Sequence, residues 1–217
     1  MTGDPRHASE RARPLILGTD VAAVRALAGA LDGRLEWVPA AEGDAALETW
    51  RRRCASAAPC AQIVVALWSE IPPRGDTPLT DMDADMWETR AEAPLIAWSV
   101  ALAAAASRCA DGGAVVGVIE APAALDAAGF APEVGLAVAV RALARSLAAS
   151  EGARGVRVNT VTTQARLGVE PLAPAPPLAS FPGRVEREVA GAVRLLLSPD
   201  AAGITGGTLA ADSGRAW

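Results

Sequence analysis

Short apolar runs alternate along the chain with longer segments in which apolar positions recur every three or four residues. The runs are continuous, as in strands buried on both faces, and the longer segments have the spacing of amphipathic helices. The predicted strands are Leu15–Leu17, Leu35–Val38, Gln62–Leu67, Ala114–Ile119, Val156–Val161 and Thr208–Ala211. This alternation predicts an α/β fold, a doubly wound and mostly parallel sheet with helices on both faces.

Two long helices are predicted in the middle of the chain. The first extends from Asp81 to Arg108, as one helix or a kinked pair, because Pro94 lies inside it. The second begins at Pro132 and ends at Ser150. The first thirteen residues are mostly polar or charged, which predicts a disordered leader at 1–13 and a single domain over residues 14–217.

Composition narrows the chemistry that this domain can perform. The 217 residues carry 25 acidic and 20 basic side chains, and this net charge of −5 disfavours nucleic acid or an anionic membrane as a partner. All the basic residues are arginine, tyrosine is absent, and His7 is the only histidine. Schiff-base lysine chemistry, a tyrosine acid and a two-histidine metal site are therefore excluded.

Cysteine usage and hydropathy predict the compartment. Cys54, Cys60 and Cys109 are too few for a disulfide framework or a metal-ligand cluster, so we expect reduced thiols. The longest apolar run, residues 95–106, is interrupted by Ser99 and is too short to cross a bilayer. We therefore expect a cytoplasmic protein without a membrane or metal partner. The alanine- and arginine-rich composition is typical of high-GC bacteria.

Several motifs follow one another in the C-terminal third. These are Gly155-Val156-Arg157-Val158-Asn159-Thr160-Val161, the helical stretch Glu186–Ser198, Ile204-Thr205-Gly206-Gly207 and Asp212-Ser213-Gly214. In this order and at this spacing they resemble the short-chain dehydrogenase/reductase family, which implies a Rossmann-like sheet. The resemblance extends more thinly over about residues 14–217. The interval between the first helix and Gln62 is short by about one β–α unit of the family.

The resemblance also locates the positions where the family carries its acid–base chemistry. There a serine, a Tyr-x-x-x-Lys pair and a helix asparagine support hydride transfer. In this chain the tyrosine position falls on Glu133, the lysine position on Ala137, the serine position near Glu120 and the asparagine position near Pro94. All four roles are vacated, so we expect no catalytic residue of the family here.

The family's glycine-rich turn matches the start of the predicted domain. That turn lets backbone N–H groups approach a pyrophosphate at a helix N-terminus. Only Gly18 remains of its glycines, and Asp20, Ala22 and Val24 follow it. A carboxylate would repel phosphate and the two apolar side chains would crowd it. We therefore expect that this chain binds no cofactor.

A chain without a catalytic site can still assemble with an active relative. In the family, two long helices pack against a partner's copies, and the terminal tail forms a second contact. The candidate interface residues are Trp98, Leu102, Ala139, Ala142, Ser146, Ala149 and Trp217. The alternative for the small-residue row on the second long helix is packing on the chain's own sheet.

These resemblances predict a pseudo-enzyme subunit with a structural or regulatory role. It would pair with an active short-chain dehydrogenase/reductase paralogue in a hetero-oligomer, expected as a heterotetramer. The partner would bind NAD or NADP, and the complex would act on hydroxyacyl or ketoacyl substrates. The two-subunit dehydrogenase of anaerobic benzylsuccinate β-oxidation is a precedent in this family.

A second hypothesis is a cofactor-free lyase, isomerase or cyclase in the old pocket. Glu120 and Glu133 would then face one site, where two carboxylates with separated pKa values could perform acid–base work. The alternative is structural. Glu133 would follow Pro132 in a first helical turn, favoured by the helix dipole, and Glu120 would be a solvated loop residue.

Overall fold

Six parallel strands form the sheet of the computed structural model, which describes residues 13–40, 43–167 and 178–215. Their bounds are β1 Leu15–Gly18, β2 Arg34–Trp37, β3 Cys60–Ala66, β4 Cys109–Glu120, β5 Arg157–Thr163 and β6 Thr208–Ala211. Their order across the sheet is β2-β1-β3-β4-β5-β6. This confirms the predicted doubly wound parallel sheet.

Helices cover both faces of the sheet. Their bounds are α1 Ala22–Ala30, α2 Asp44–Ala55, α3 Ala84–Trp87, α4 Ala93–Arg108, α5 Ala131–Ser150 and α6 Ala190–Leu197. One core contains residues of α2, α4 and α5, and the other contains residues of α1 and α6. Between α1 and β3 the described residues form β2 and α2 and no further strand, in keeping with the short interval in the sequence.

The predicted helix from Asp81 to Arg108 is divided into three parts. A short α3 leads into a π-helical turn at Glu88–Glu92, and α4 continues from Ala93. Pro94 has no N–H with which to continue an α-helical ladder, so the preceding turn widens before the regular helix begins.

Two of the candidate interface residues lie inside the chain's own core. Trp98 is 1% exposed and Leu102 is 0% exposed. A Cβ built on Gly117 of β4 would lie 3.4 Å from the Trp98 ring and 3.8 Å from Leu102, so both side chains pack on the sheet at this glycine. The prediction that these two residues contact a partner is therefore wrong.

The small-residue row of α5 lies on its outer face. Ala142, Ser146 and Ala149 are exposed and Ala139 is partly exposed, whereas Val140, Ala144 and Ala148 face the core. The alternative in which the row packs on its own sheet is therefore wrong. Trp217 and most of the predicted leader, residues 1–12, lie outside the described residues. Arg13 is described and forms an exposed ion pair with Asp32.

Two buried arginines connect distant parts of the chain. Arg108, at the end of α4, donates to Glu36 of β2 at 2.6 Å. Arg215 donates through Nε and Nη2 to Asp126, in the short 3₁₀ turn before α5, at 2.8 to 3.2 Å. Within the described part of the chain no helix is both long and apolar enough to span a bilayer.

Candidate functional site

The carboxyl ends of β3 and β4 open into a cavity of about 420 Å³, here called the central cavity. In parallel α/β sheets this edge is where ligands bind, because the loops that follow the strands diverge there. Its lining residues are Leu67, Ser69, Ile71, Pro73, Arg74, Asp76, Thr89, Arg90, Pro94, Trp98, Ile119, Glu120, Glu133 and Leu136. The volume is within the range of small-molecule sites.

Three of the four vacated family positions meet in the central cavity. Pro94, Glu120 and Glu133 all line it. Ala137 does not; it is buried and lines a separate cavity of about 340 Å³ next to Thr163 and Asp212. The prediction that Glu120 and Glu133 face one site is confirmed.

Glu133 is held in a buried ion pair with Arg90. Nε and Nη2 of Arg90 donate to the two carboxylate oxygens at 2.8 and 2.9 Å. The two side chains are 19% and 6% exposed, so most of this pair is shielded from water. Glu133 does lie in the first turn of α5, but the structural alternative, which relied on the helix dipole alone, omitted this arginine.

Glu120 is the last residue of β4 and is not solvated. Its side chain is 8% exposed, and Oε1 lies 3.3 Å from Nη1 of Arg166. Burial raises the pKa of Glu120 to about 7, and the Arg166 guanidinium partly opposes this rise. At neutral pH this carboxyl therefore exchanges a proton readily, as a general acid or base requires.

A hydrogen-bonded connection joins the central cavity to the start of α1. Nη2 of Arg166 donates to the carbonyls of Ser69 and Glu70, and its guanidinium lies 5.5 Å from the centre of the Trp68 ring. Trp68 in turn exchanges two hydrogen bonds with the Thr19 hydroxyl, which donates to the carbonyl and accepts from the N–H. The Thr19 hydroxyl is thus engaged with protein groups in the loop where the family holds phosphate.

A second cavity of about 710 Å³ occupies the β1–α1 side of the same edge. We call it the β1-side cavity. Its charged lining residues are Asp20, Glu70 and Glu88, and no arginine of the described residues lines it. Asp20 pairs with Arg25 on the outside, where both side chains are more than half exposed. Glu70 and Glu88 add two further carboxylates, so the lining of this cavity is acidic, which opposes a phosphate group.

The space beside Gly18 is filled by Val24. A Cβ built on Gly18 would lie 2.6 Å from Cγ1 of Val24 and 3.0 Å from the carbonyl oxygen of Ala66. Val24 is fully buried and Val21, at the start of α1, is nearly so. The absence of a side chain at Gly18 therefore allows α1 to pack closely against β1. With this filling and the acidic lining, the described residues do not fit the pyrophosphate of NAD(P).

Two arginines that pair with the carboxylates of the central cavity were missed by sequence reasoning. Arg166 lies three residues after β5, at the edge of the sheet where ligands bind. Its position just after a strand could have identified it as a candidate site residue. Arg90 lies in the π-helical turn, far along the chain from Glu133, and no local pattern indicates their pairing. Among the described residues, no group of histidine, cysteine and carboxylate side chains could hold a metal ion.

Comparison with known proteins gives the fold. No family model and no curated protein matches the sequence. A short-chain dehydrogenase/reductase from Serratia marcescens aligns with a TM-score of 0.69 and 20% identity, covering 94% of this chain and 98% of that one. The fold is that of the short-chain dehydrogenases/reductases.

Two further structures with this short-chain dehydrogenase/reductase fold show the same likeness. One from Mycobacterium ulcerans aligns at 18% identity with a TM-score of 0.64, covering 94% of this chain and 89% of that chain. An NADPH-dependent reductase involved in bacilysin biosynthesis aligns at 14% identity with a TM-score of 0.66, covering 94% and 99%. At these identities the likeness establishes the fold, and the altered positions determine what the site can do.

Proposed function

We propose that this chain is a non-catalytic subunit with a structural or regulatory role. It pairs with an active short-chain dehydrogenase/reductase paralogue in a cytoplasmic hetero-oligomer, a heterotetramer in its simplest form. The partner binds NAD or NADP, and the complex oxidises or reduces hydroxyacyl or ketoacyl substrates. This chain contributes no acid–base residue and no cofactor site of the family.

The altered site supports this proposal. The sequence contains neither tyrosine nor lysine, so no shift in alignment can supply the family's Tyr-x-x-x-Lys pair. At the corresponding positions Glu133 is engaged by Arg90 and Ala137 is buried. The β1-side cavity carries acidic groups where a dinucleotide requires donors.

The observation that carries the proposal is the uncharged outer side of α4, together with the row of small residues on α5, where the exposed charges are Arg141 and Arg145. From Ala93 to Ser107 no residue is charged, although one side of α4 is open to solvent. On this side of α4, Ile96 and Ser107 are exposed and Ser99, Val100 and Ala103 are partly exposed. The adjacent α5 carries the row of Ala139, Ala142, Ser146 and Ala149. A helix face without charge is typical of a surface that another protein covers.

Co-expression tests the pairing. The chain is co-expressed with an intact short-chain dehydrogenase/reductase paralogue from the same genome, and the products are analysed by size-exclusion chromatography with mass measurement and NAD(P)H titration. A mixed oligomer that binds one NAD(P)H for each partner subunit, and none for each copy of this chain, supports the proposal. A homo-oligomer that ignores the partner, or cofactor bound to this chain, contradicts it.

Variants of the outer face locate the contact. Ile96→Glu and Ala142→Glu place a charge on the outer face of α4 or α5 and should abolish the mixed oligomer. Ala202→Glu introduces the same charge at an exposed position after α6, away from this face, and should leave the oligomer intact. If all three variants still form the mixed oligomer, assembly uses another surface.

The second candidate function is a cofactor-free lyase, isomerase or cyclase. The observation that favours it is that Glu120 and Glu133 line one cavity, with the pKa of Glu120 raised to about 7 by burial. Turnover by the isolated chain without added nucleotide, abolished by Glu120→Gln, would support this function. Retention of that turnover in Glu120→Gln would remove Glu120 from the chemistry.

A further inference from the structure

Strand β2 forms one edge of the sheet, and no described strand lies beyond it. The N–H groups of Arg34 and Val38 donate to carbonyls on the β1 side. Because successive residues of a strand direct their backbone groups to opposite edges, Leu35 and Trp37 direct theirs outward. Neither proline nor a bulge interrupts β2 from Arg34 to Trp37. The outer edge of β2 is therefore a template on which another strand can pair.

The side chains of β2 divide between its two faces. Leu35 packs on the core that contains α1 and α6, and the ring of Trp37 faces a guanidinium of α1. Arg34 and Glu36 lie on the other face, where Glu36 pairs with Arg108 of α4. The Arg34 side chain is 58% exposed and Trp37 is 39% exposed. The edge thus carries an accessible aromatic ring on one face and a charge of each sign on the other.

This sequence is complementary to itself in an antiparallel register. When Leu35 lies opposite Leu35 of a second copy, Arg34 of each chain lies opposite Glu36 of the other. Opposite charges directly across two strands stabilise their pairing, and like charges destabilise it. A register centred on Arg34 or on Glu36 would place like charges opposite each other. The register centred on Leu35 also places Trp37 opposite Gly33, where a ring can cover the backbone that the glycine leaves bare.

We propose that the β2 edge is an interface with a second copy of this chain, in which the two β2 strands pair antiparallel with Leu35 opposite Leu35. A twofold axis relates the copies, so each contact occurs twice. The two sheets then form one continuous sheet across the two chains. The contact uses neither α4 nor α5, so each copy still presents the face of those helices to a different subunit. Its presence or absence is therefore independent of the pairing with an active paralogue.

Sedimentation velocity of the full-length chain tests the interface. The chain alone is measured from about 1 to about 300 µM, because a short edge contact buries little surface and forms a weak dimer. We expect a reversible monomer–dimer equilibrium. Arg34→Glu should raise the dissociation constant roughly tenfold or more, since two opposite-charge pairs become two like-charge pairs. Arg145→Glu makes the same charge change at an exposed position on α5 and should leave the dissociation constant unchanged.

A second pair of variants tests the backbone contact. Trp37→Pro removes an outward N–H and leaves the N–H of Val38 in place toward β1. Trp37→Thr removes the same ring but keeps the N–H, so the proline variant should dimerise more weakly than the threonine variant. If Trp37→Pro does not fold, as judged by circular dichroism, Arg34→Glu carries the test alone.

Three results would overturn the proposal. One is a wild-type chain that remains monomeric over the whole concentration range. Another is a dimer whose dissociation constant is the same in Arg34→Glu as in the wild type. The third is a dimer that Ile96→Glu abolishes, since this substitution would place the contact on the outer face of α4.

Discussion

The β1–α1 corner and the β4–α5 corner lie at the same edge of the sheet, and they differ from the family's site in opposite ways. At the first corner Val24 fills the space beside Gly18 with apolar contact. At the second, the pairs Arg90–Glu133 and Arg166–Glu120 fill the site with charge. Apolar filling is insensitive to pH, whereas a buried carboxyl couples stability to protons. The first corner is thus packed with apolar side chains beside its glycine, and the second keeps a carboxyl, Glu120, that couples to pH.

The largest effect should come from Arg90→Met, which leaves Glu133 buried without its bidentate partner. We expect the free energy of unfolding in urea to fall by about 3–5 kcal/mol, since removal of one half of a buried pair strands the other charge. Adding Glu133→Leu should restore most of this loss. The exposed Arg145→Met variant is the control and should change stability by less than about 0.5 kcal/mol. A loss of similar size in Arg145→Met would show that the pair is not responsible.

A pH effect follows from Glu120, whose folded-state pKa of about 7 lies above its ordinary value of 4.5. Between these values the folded state binds more protons than the unfolded state, so stability decreases as pH rises from about 4.5 to about 7. The shift corresponds to roughly 3 kcal/mol. Urea unfolding at pH 5 and pH 7.5 should show this decrease in the wild type. The Glu120→Gln variant should lack this decrease in stability, and the Glu92→Gln variant, at an exposed position, should keep it. If stability still falls with pH in Glu120→Gln as it does in the wild type, Glu120 is not the source of the decrease.

The apolar corner should respond to the addition of one methyl group. Gly18→Ala places a Cβ against Cγ1 of Val24, and we expect a loss of about 2 kcal/mol in thermal or urea unfolding. In a Val24→Ala background the additional loss should be smaller, because the conflicting methyl group is gone. Part of the strain should remain in this background, because the added Cβ would still lie 3.0 Å from the carbonyl oxygen of Ala66. Strictly additive losses would mean that Val24 does not fill this space.

The smallest effect should come from Asp20→Asn. The ion pair with Arg25 is mostly exposed, so we expect a change of less than about 1 kcal/mol in stability. NADH titration followed by fluorescence should still detect no binding, because Val24 and Val21 remain in place. Binding restored by this substitution alone would show that charge, rather than apolar filling, closes the β1–α1 corner.

The fold was predictable because each strand is a short apolar run and most of the helices between the strands have a clear apolar period. The sequence analysis wrongly assigned Trp98 and Leu102 to an interface with a partner. Helix α4 is apolar almost all round from Ala93 to Ala106, so its periodicity does not indicate which face is outside. On α5, polar and small residues mark one face, and the predicted row is indeed exposed.

The candidate site was half predictable. Glu120 and Glu133 were located by their positions relative to the strand and helix of the family resemblance, and they do line one cavity. Their partners Arg90 and Arg166 could not be located from the sequence, because ion pairing between residues 43 or 46 positions apart depends on how loops pack. Sequence spacing places residues within elements, whereas the chemistry of this cavity arises between them.

The contact between Arg215 and Asp126 has a consequence for biosynthesis. The loop that precedes α5 is synthesised long before the arginine that donates two of its N–H groups to the Asp126 carboxylate. While Arg215 is still inside the ribosome, that carboxylate lacks this guanidinium. Native folding of this loop is therefore completed only after residue 215 has left the exit tunnel. A nascent chain stalled just before residue 215 should remain a better substrate for chaperones than the released protein.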